Sequence, residues 1–213
     1  MLSTTERTVI RRGKNKARTD HSDLYDLLDQ GLICHLGVVV DGTPRVIPTS
    51  YTRLGDTLYL HGSTGARSLR ETGEVCVTVT LLDGLVLSRS AMHHSVNHRS
   101  AMIFGTPREV LDPEERDRAL WAVIEQAVPG RADMVREPNA KELAATRVLA
   151  LSLAEASVKV RTGPPNDEEE DYDLPVWAGV LPIRQIYGEP ETDPRLRPGV
   201  TVPEHVTALV RED

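Results

Sequence analysis

The chain is poor in aromatic residues, with one Phe, two Trp and five Tyr among 213 residues. Aliphatic side chains must therefore fill its core, and the position of each aromatic becomes informative. Cysteine is scarcer still. Cys34 and Cys76 fit no C-x-x-C or zinc spacing, and their apolar neighbours mark them as buried free thiols. No stretch approaches the roughly 18 consecutive apolar residues of a membrane span, and Met1–Arg7 lacks the apolar centre of a signal peptide. The expectation is a soluble, cytoplasmic protein with no membrane partner. Positive charge is short too: 25 Lys and Arg against 32 Asp and Glu give a net charge of −7, which argues against nucleic acid. Several catalytic signatures are missing. No Walker A loop, G-x-G-x-x-G fingerprint, HExxH, Gly-x-Ser-x-Gly elbow or nucleophilic Cys–His pair occurs, so no catalytic residue and no metal ligand is assigned.

What is present reads as three segments: a basic N-terminal arm (1–19), a globular domain (20–187) and a Pro-rich tail (188–213). The arm carries Arg7, Arg11, Arg12, Lys14, Lys16 and Arg18 and reads as a solvated lead-in. Asp20–Asp23 offers N-caps for a helix with Leu24, Leu27 and Leu28 on its apolar face, closed by Gly31. Residues 32–40 form a near-continuous apolar run, as in a strand buried on both faces. Asp41-Gly42 and Gly55-Asp56 are turn signals that separate strands at 44–53 and 57–61. A helical turn at 66–71 follows, then strands at 75–82, 85–93 (after a turn at Asp83-Gly84) and 103–110. Asp112-Pro113-Glu114-Glu115 starts a helix whose face is Leu120, Val123, Ile124 and Ala127. A shorter helix at 138–146, a long strand at 147–161 and a last strand at 176–187 complete the pattern. Strands at this spacing predict a mainly β fold with peripheral helices, an antiparallel sheet closing into a barrel.

Chemistry concentrates in a few places. Tyr59–Ser68 runs a strand into small and hydroxyl residues, with His61 at its end and Arg67 beyond. Such a loop suits a phosphate, through hydroxyls, backbone N–H groups and a guanidinium; an ordinary hairpin loop reads the same. Ser157, Lys159 and Arg161 alternate with valines and share one strand face, which suits an anion or is simply a solvated face. His94 and His98 have the i, i+4 spacing of ligands on a helix but lack a third ligand. The acidic run 164–171 reads as solvated.

Five ordered segments carry a resemblance: Ile47–Tyr51, Tyr59–Ser63, Ser95–Ser100 with Phe104-Gly105, Ser157–Arg161 with Gly163-Pro164-Pro165, and Trp177–Pro182. Over about residues 7–187 the chain resembles the pyridoxamine 5′-phosphate oxidase-like flavoproteins, with their FMN-binding split barrel. Among them it is most similar to the branch holding the nitroimidazole-resistance proteins. The resemblance implies a homodimer with two FMN sites at the subunit interface. Pro48, Thr49, Ser50 and Tyr51 would run along the flavin ring. His61, Ser63, Arg67, Ser68, Asn97, Arg99 and Ser100 would line the site, its phosphate near 61–68 and Arg99-Ser100. Lys159, Arg161 and Trp177 would arrive from the second subunit. The family's usual tyrosine in Asn-Tyr-Arg-Ser is His98 here, a titratable group beside the expected flavin. The implied activity is reduction of a small organic substrate such as a nitro-aromatic. The alternative is a non-catalytic or sensory dimer binding flavin or haem through His61, His93, His94 or His98. A deazaflavin in place of FMN stays open.

Overall fold

The computed structural model describes residues 1–70 and 73–210. The chain order is β1 (Ala17–Arg18), α1 (His21–Gln30), β2 (Ile33–Val40), β3 (Thr43–Leu54), β4 (Thr57–Ser63), α2 (Arg67–Arg70), β5 (Val75–Leu87), β6 (Ser95–Gly105) and β7 (Arg108–Glu109). Then come α3 (Pro113–Ala127), α4 (Ala140–Ala145), β8 (Thr146–Ser152), β9 (Ala156–Arg161), β10 (Gly179–Pro182) and α5 (Glu204–Thr207). The expected turn at 66–71 is represented by α2, and its last residue, Glu71, lies outside the described residues.

All named strands pair antiparallel, in the order β1-β9-β6-β5-β2-β3-β4-β8-β7, with β10 on β5. The sheet curls around α1, which touches β3, β5, β6 and β9. Leu24, Leu27 and Leu28 thereby enter one core with Leu36, Tyr51, Leu58, Leu60, Val77, Ile103, Leu151 and Val158. The antiparallel sheet is the one the strand spacing predicted, and its curl around α1 is the split barrel that the resemblance implied. The hairpin at Asp41-Gly42 forms with both residues at positive φ, 52° and 71°, as a two-residue turn of that type requires. Among the described residues no helix is long and apolar enough to cross a membrane.

Several expectations need correction. The run 32–40 is not buried on both faces: β2 alternates, with Cys34, Leu36, Val38 and Val40 inside and Val39 58% exposed. Asp83-Gly84 does not end a strand; β5 passes through it with a shift of register between Leu82 and Gly84. That bulge fits Gly84, where an added Cβ would sit 3.0 Å from the Leu181 carbonyl. Residues 147–161 form two strands, β8 and β9, which break at 153–155 and pair with β4 and β6 respectively. The strand expected at 103–110 begins earlier, at Ser95, so His94 and His98 do not share a helix. The strand expected at 176–187 shrinks to Gly179–Pro182.

The arm is not a solvated lead-in. Leu2 is buried and its N–H donates to the Thr19 carbonyl (2.6 Å), while β1 pairs with β9. Arg7 bonds Glu155 and pairs with Glu74 (2.5 Å), and its guanidinium lies over the Phe104 ring. The Pro-rich tail is largely extended, with α5 returning His205 towards Gly130 at the end of α3.

Candidate functional site

Four groups of expected site residues have distinct surroundings. The first is the β3 edge. β3 pairs with β2 over Thr43–Ser50 and with β4 over Tyr51–Leu54. Among the described residues the other backbone edge at Pro48, Thr49 and Ser50 therefore has no strand neighbour, which leaves main-chain acceptors and donors free for a ligand. Tyr51 differs from these three: its side chain is in the core and its hydroxyl donates to the Leu28 carbonyl (2.7 Å). Burial pushes that phenol's pKa up, so it stays protonated.

The second group is the loop after β4. Its backbone closes on itself: Gly65 N–H donates to Ser63 Oγ (3.1 Å), Ala66 N–H to the Ser63 carbonyl (2.9 Å) and Thr64 N–H to the Ala145 carbonyl (2.9 Å). Those N–H groups are thus already partnered. The loop's anchor is Leu69, 6% exposed, which packs against Gly62. Arg67 pairs with Asp41 of the β2–β3 turn (2.7 Å), which brings Arg67 and Ser68 beside that hairpin.

Strand pairing assembles the third group. Ser100 stands opposite Lys159, His98 opposite Arg161 and Met102 opposite Ser157. Since Ala101 and Val158 are buried, these six side chains share the outer face. Burial and the positive charges of Lys159, Lys16 and Arg161 lower the His98 pKa against the pull of Asp83. Asn97 is buried, donates to the Gly163 carbonyl (3.1 Å) and accepts from Arg161. Arg99 points the other way. Its guanidinium forks onto Asp83 (2.8 and 3.1 Å) and reaches Gln30 (2.8 Å), so it is clamped within the chain. Trp177 is isolated, 69% exposed, with its ring over Gly179, where an added Cβ would meet it at 2.9 Å.

His61 opens the fourth group, and its cleft is lined by none of the residues of the other three. Leu58 and Leu60 enter the main core, whereas Tyr59 packs with Val110, Ala119, Val148 and Ala150 under α3. By strand alternation His61 shares the Tyr59 side. There it lines a cleft of about 450 Å³ with Leu120, Val123 and Ile124 of α3, and with Val135 and Leu143. The apolar face expected for α3 is thus only half buried, and it forms one wall of this cleft.

Three sets of bonds hold that wall. The Asp112 carboxylate accepts the Glu115 N–H (3.0 Å) at the helix start, and Tyr59 donates to Glu115 (2.7 Å). Gln126 donates to the Leu28 and Gly31 carbonyls (3.0 and 2.7 Å). A capping box between Asn139 and Glu142 starts α4. Arg136 forks onto Glu142 at the cleft (2.8 and 2.5 Å); together with the Asn139 N–H it holds that carboxyl at about 2.

The His61 Nδ1 is buried and, among the described residues, has no hydrogen-bond partner. Burial alone lowers its pKa, so the imidazole is neutral at pH 7 with a lone pair to give. Sequence reasoning placed His61 with the flavin loop. Helical spacing at 120, 123 and 124 was the signal for the cleft, but it read equally well as core packing. A further gathering went unseen: the acidic run folds back, so that ligand atoms of His93, Asp167 and Asp171 lie within 4.8 Å of one another. Asp167 is buried there and held by the Arg89 backbone and guanidinium (3.0 and 2.9 Å). Cys34 is inert, its thiol pushed up to about 12 by burial.

An antiparallel split barrel with an open backbone edge on β3 and a hydroxyl-rich loop after β4 is the framework of a flavin-binding fold. The pyridoxamine 5′-phosphate oxidase profile matches residues 20–160, and the chain belongs to that family. Two solved structures match nearly end to end. The flavocytochrome Anf3 from Azotobacter vinelandii is 41% identical over 98% of this chain and 99% of its own, with a TM-score of 0.92. The FAD and haem binding protein from Mycobacterium smegmatis is 38% identical over 92% and 97%, with a TM-score of 0.87. A candidate 5-nitroimidazole resistance protein from Bacteroides thetaiotaomicron is 23% identical over 68% and 86%, with a TM-score of 0.57, a likeness of fold alone. A search of curated proteins finds no match.

Proposed function

We propose that this chain is a redox protein of the flavocytochrome kind, a homodimer that holds a flavin along β3 and the 63–68 loop and a haem in the cleft under α3. The observation that carries this reading is the neutral, half-buried His61, whose buried Nδ1 has no partner among the described residues, in a largely apolar cleft. A haem needs just such a set: an imidazole in its unprotonated form, aliphatic walls for the macrocycle and a cation for its carboxylates. Leu120, Val123, Ile124 and Leu143 would supply the walls and Arg136 the cation, shared with Glu142. The flavin fits too, through the open edge at Pro48–Ser50, the hydroxyls of Ser63 and Ser68, and Arg67.

The end-to-end likeness to two proteins described by haem and flavin supports this reading over nitro-aromatic reduction, for which the likeness stops at the fold. Bound flavin and haem would supply two-electron and one-electron transfer, while the chain binds, orients and excludes water. A second copy accounts for Trp177, which is solvent-exposed beside a strand edge that also exposes Leu181 and Ile186. In this arrangement Trp177 and the Lys159–Arg161 face reach the partner's flavin.

Haem titration of the purified protein, wild type against His61→Ala, tests the reading. Wild type is expected to take up haem with a sharp Soret band. The variant should lose affinity by at least the roughly 10–100-fold typical of losing a supporting ligand shell, with flavin uptake kept. Equal haem affinity in the two proteins would overturn it.

A further inference from the structure

The N-terminal arm has a use that neither the proposed flavin ring position nor the haem cleft explains. Pinned by β1 and by Arg7, it carries Ile10, Arg11 and Arg12 across the outer face of β6 and β9. Between arm and sheet lies a hollow of about 280 Å³, floored by Ser100, Ser157 and Lys159. Among the described residues, Arg12 and Lys159 have no hydrogen bond or ion pair from their side chains, and Arg11 has only Glu6, at 4.0 Å. Three cations around one hollow, with only Glu6 at its margin as a counter-charge, repel one another.

The donors and the room between them point to the size of the anion. Two guanidinium groups, an ammonium and two hydroxyls stand around about 280 Å³, more space than one phosphate fills, and they suit two phosphates in series. Ile10 and the 42% exposed Met102 sit at the same hollow and offer an apolar surface on which a base can rest. We infer that the arm and the outer face of β6–β9 form a binding site for the diphosphate of an adenine nucleotide, the ADP half of a dinucleotide. Two dinucleotides share that chemistry in a flavin protein: FAD itself, or a nicotinamide electron donor. The assignment to one of these rests on the flavin reading above; the diphosphate site does not.

The probe is ADP, titrated calorimetrically into the full-length, flavin-stripped protein at low and high salt. The expectation is that wild type binds ADP and that the double variant Arg11→Ala/Arg12→Ala binds it on the order of tenfold more weakly, one charge-assisted bond's worth. Lys159→Ala should weaken it similarly, and the wild-type affinity should fall steeply with salt. The two arginines are exposed, and far-UV circular dichroism checks that the variants fold. No ADP binding by wild type, or equal binding by wild type and the arm variant, overturns the proposal. FAD and FMN titrations then identify the source. Weakened FAD with unchanged FMN assigns the site to FAD. Unchanged FAD, with weakened NADH binding to the FMN-loaded protein, assigns it to the donor. Should wild type bind ADP but neither flavin, the flavin reading fails and the diphosphate site stands.

Discussion

Gly62 sits between His61 and Ser63, at the point where the proposed haem cleft and the proposed flavin loop share one strand. Its φ is not in the left-handed region, so alanine is allowed there by the backbone. The cost of Gly62→Ala is therefore all contact: the new Cβ would lie 2.7 Å from Leu69 Cδ1, closer than carbon atoms approach. Leu69 is 6% exposed, so it must leave its rotamer inside a packed site. Over-packing of this kind costs about 1–3 kcal/mol, which at about 2–4 °C per kcal/mol lowers Tm by roughly 2–12 °C in a chain of this size. Leu69 also anchors α2, which carries Arg67 and Ser68, so FMN affinity should fall with stability. Urea denaturation and flavin fluorescence titration of four proteins decide it: wild type, Gly62→Ala, Leu69→Ala and the double variant. Leu69→Ala alone should cost about 2–4 kcal/mol for its cavity. In that background Gly62→Ala should be nearly free, because the clashing methyl is gone. If Gly62→Ala costs the same with and without Leu69, the steric reasoning is refuted.

Tyr51→Phe should cost only about 1 kcal/mol in urea denaturation, because the Leu28 carbonyl keeps its bond from Gln126, and should leave flavin affinity unchanged. Asp167→Ala leaves Arg89 without its buried partner and should release the acidic loop, read as faster limited proteolysis near 164–172 at a cost of about 2–4 kcal/mol. His61 and His98 both have depressed folded pKa values. The stability they contribute is present above the ordinary 6.5 and is lost as pH falls through the lower folded values. Thermal melts should therefore show a loss between pH 7 and pH 5 that His61→Gln reduces.

Much of the barrel was legible because its signals are local. Asp41-Gly42 sets a hairpin, Asp112-Pro113 starts α3, and Leu24, Leu27 and Leu28 mark the buried face of α1. What was not legible depended on long-range partners. Asp83-Gly84 has the composition of a turn, yet β10 and β6 hold β5 through it. The arm's arginines read as solvated because Glu74 and Glu155, which fix Arg7, are distant in sequence. The partner of Arg99 was not readable either, because Asp83, which takes its guanidinium, is a carboxylate 16 residues away that carries no spacing signal. His61 stood out in the sequence as a residue that could contact a ligand. Its direction was not readable, because the half-buried face of α3 looks in sequence like any other helix packed on a sheet.

The account turns on His61 holding a haem in a chain that also holds a flavin. Its most direct test is the visible absorption spectrum of the purified full-length protein after incubation with haem and flavin and removal of excess. The account predicts a Soret band together with the flavin's blue absorption, each near one per chain. Flavin absorption with no Soret band would contradict it.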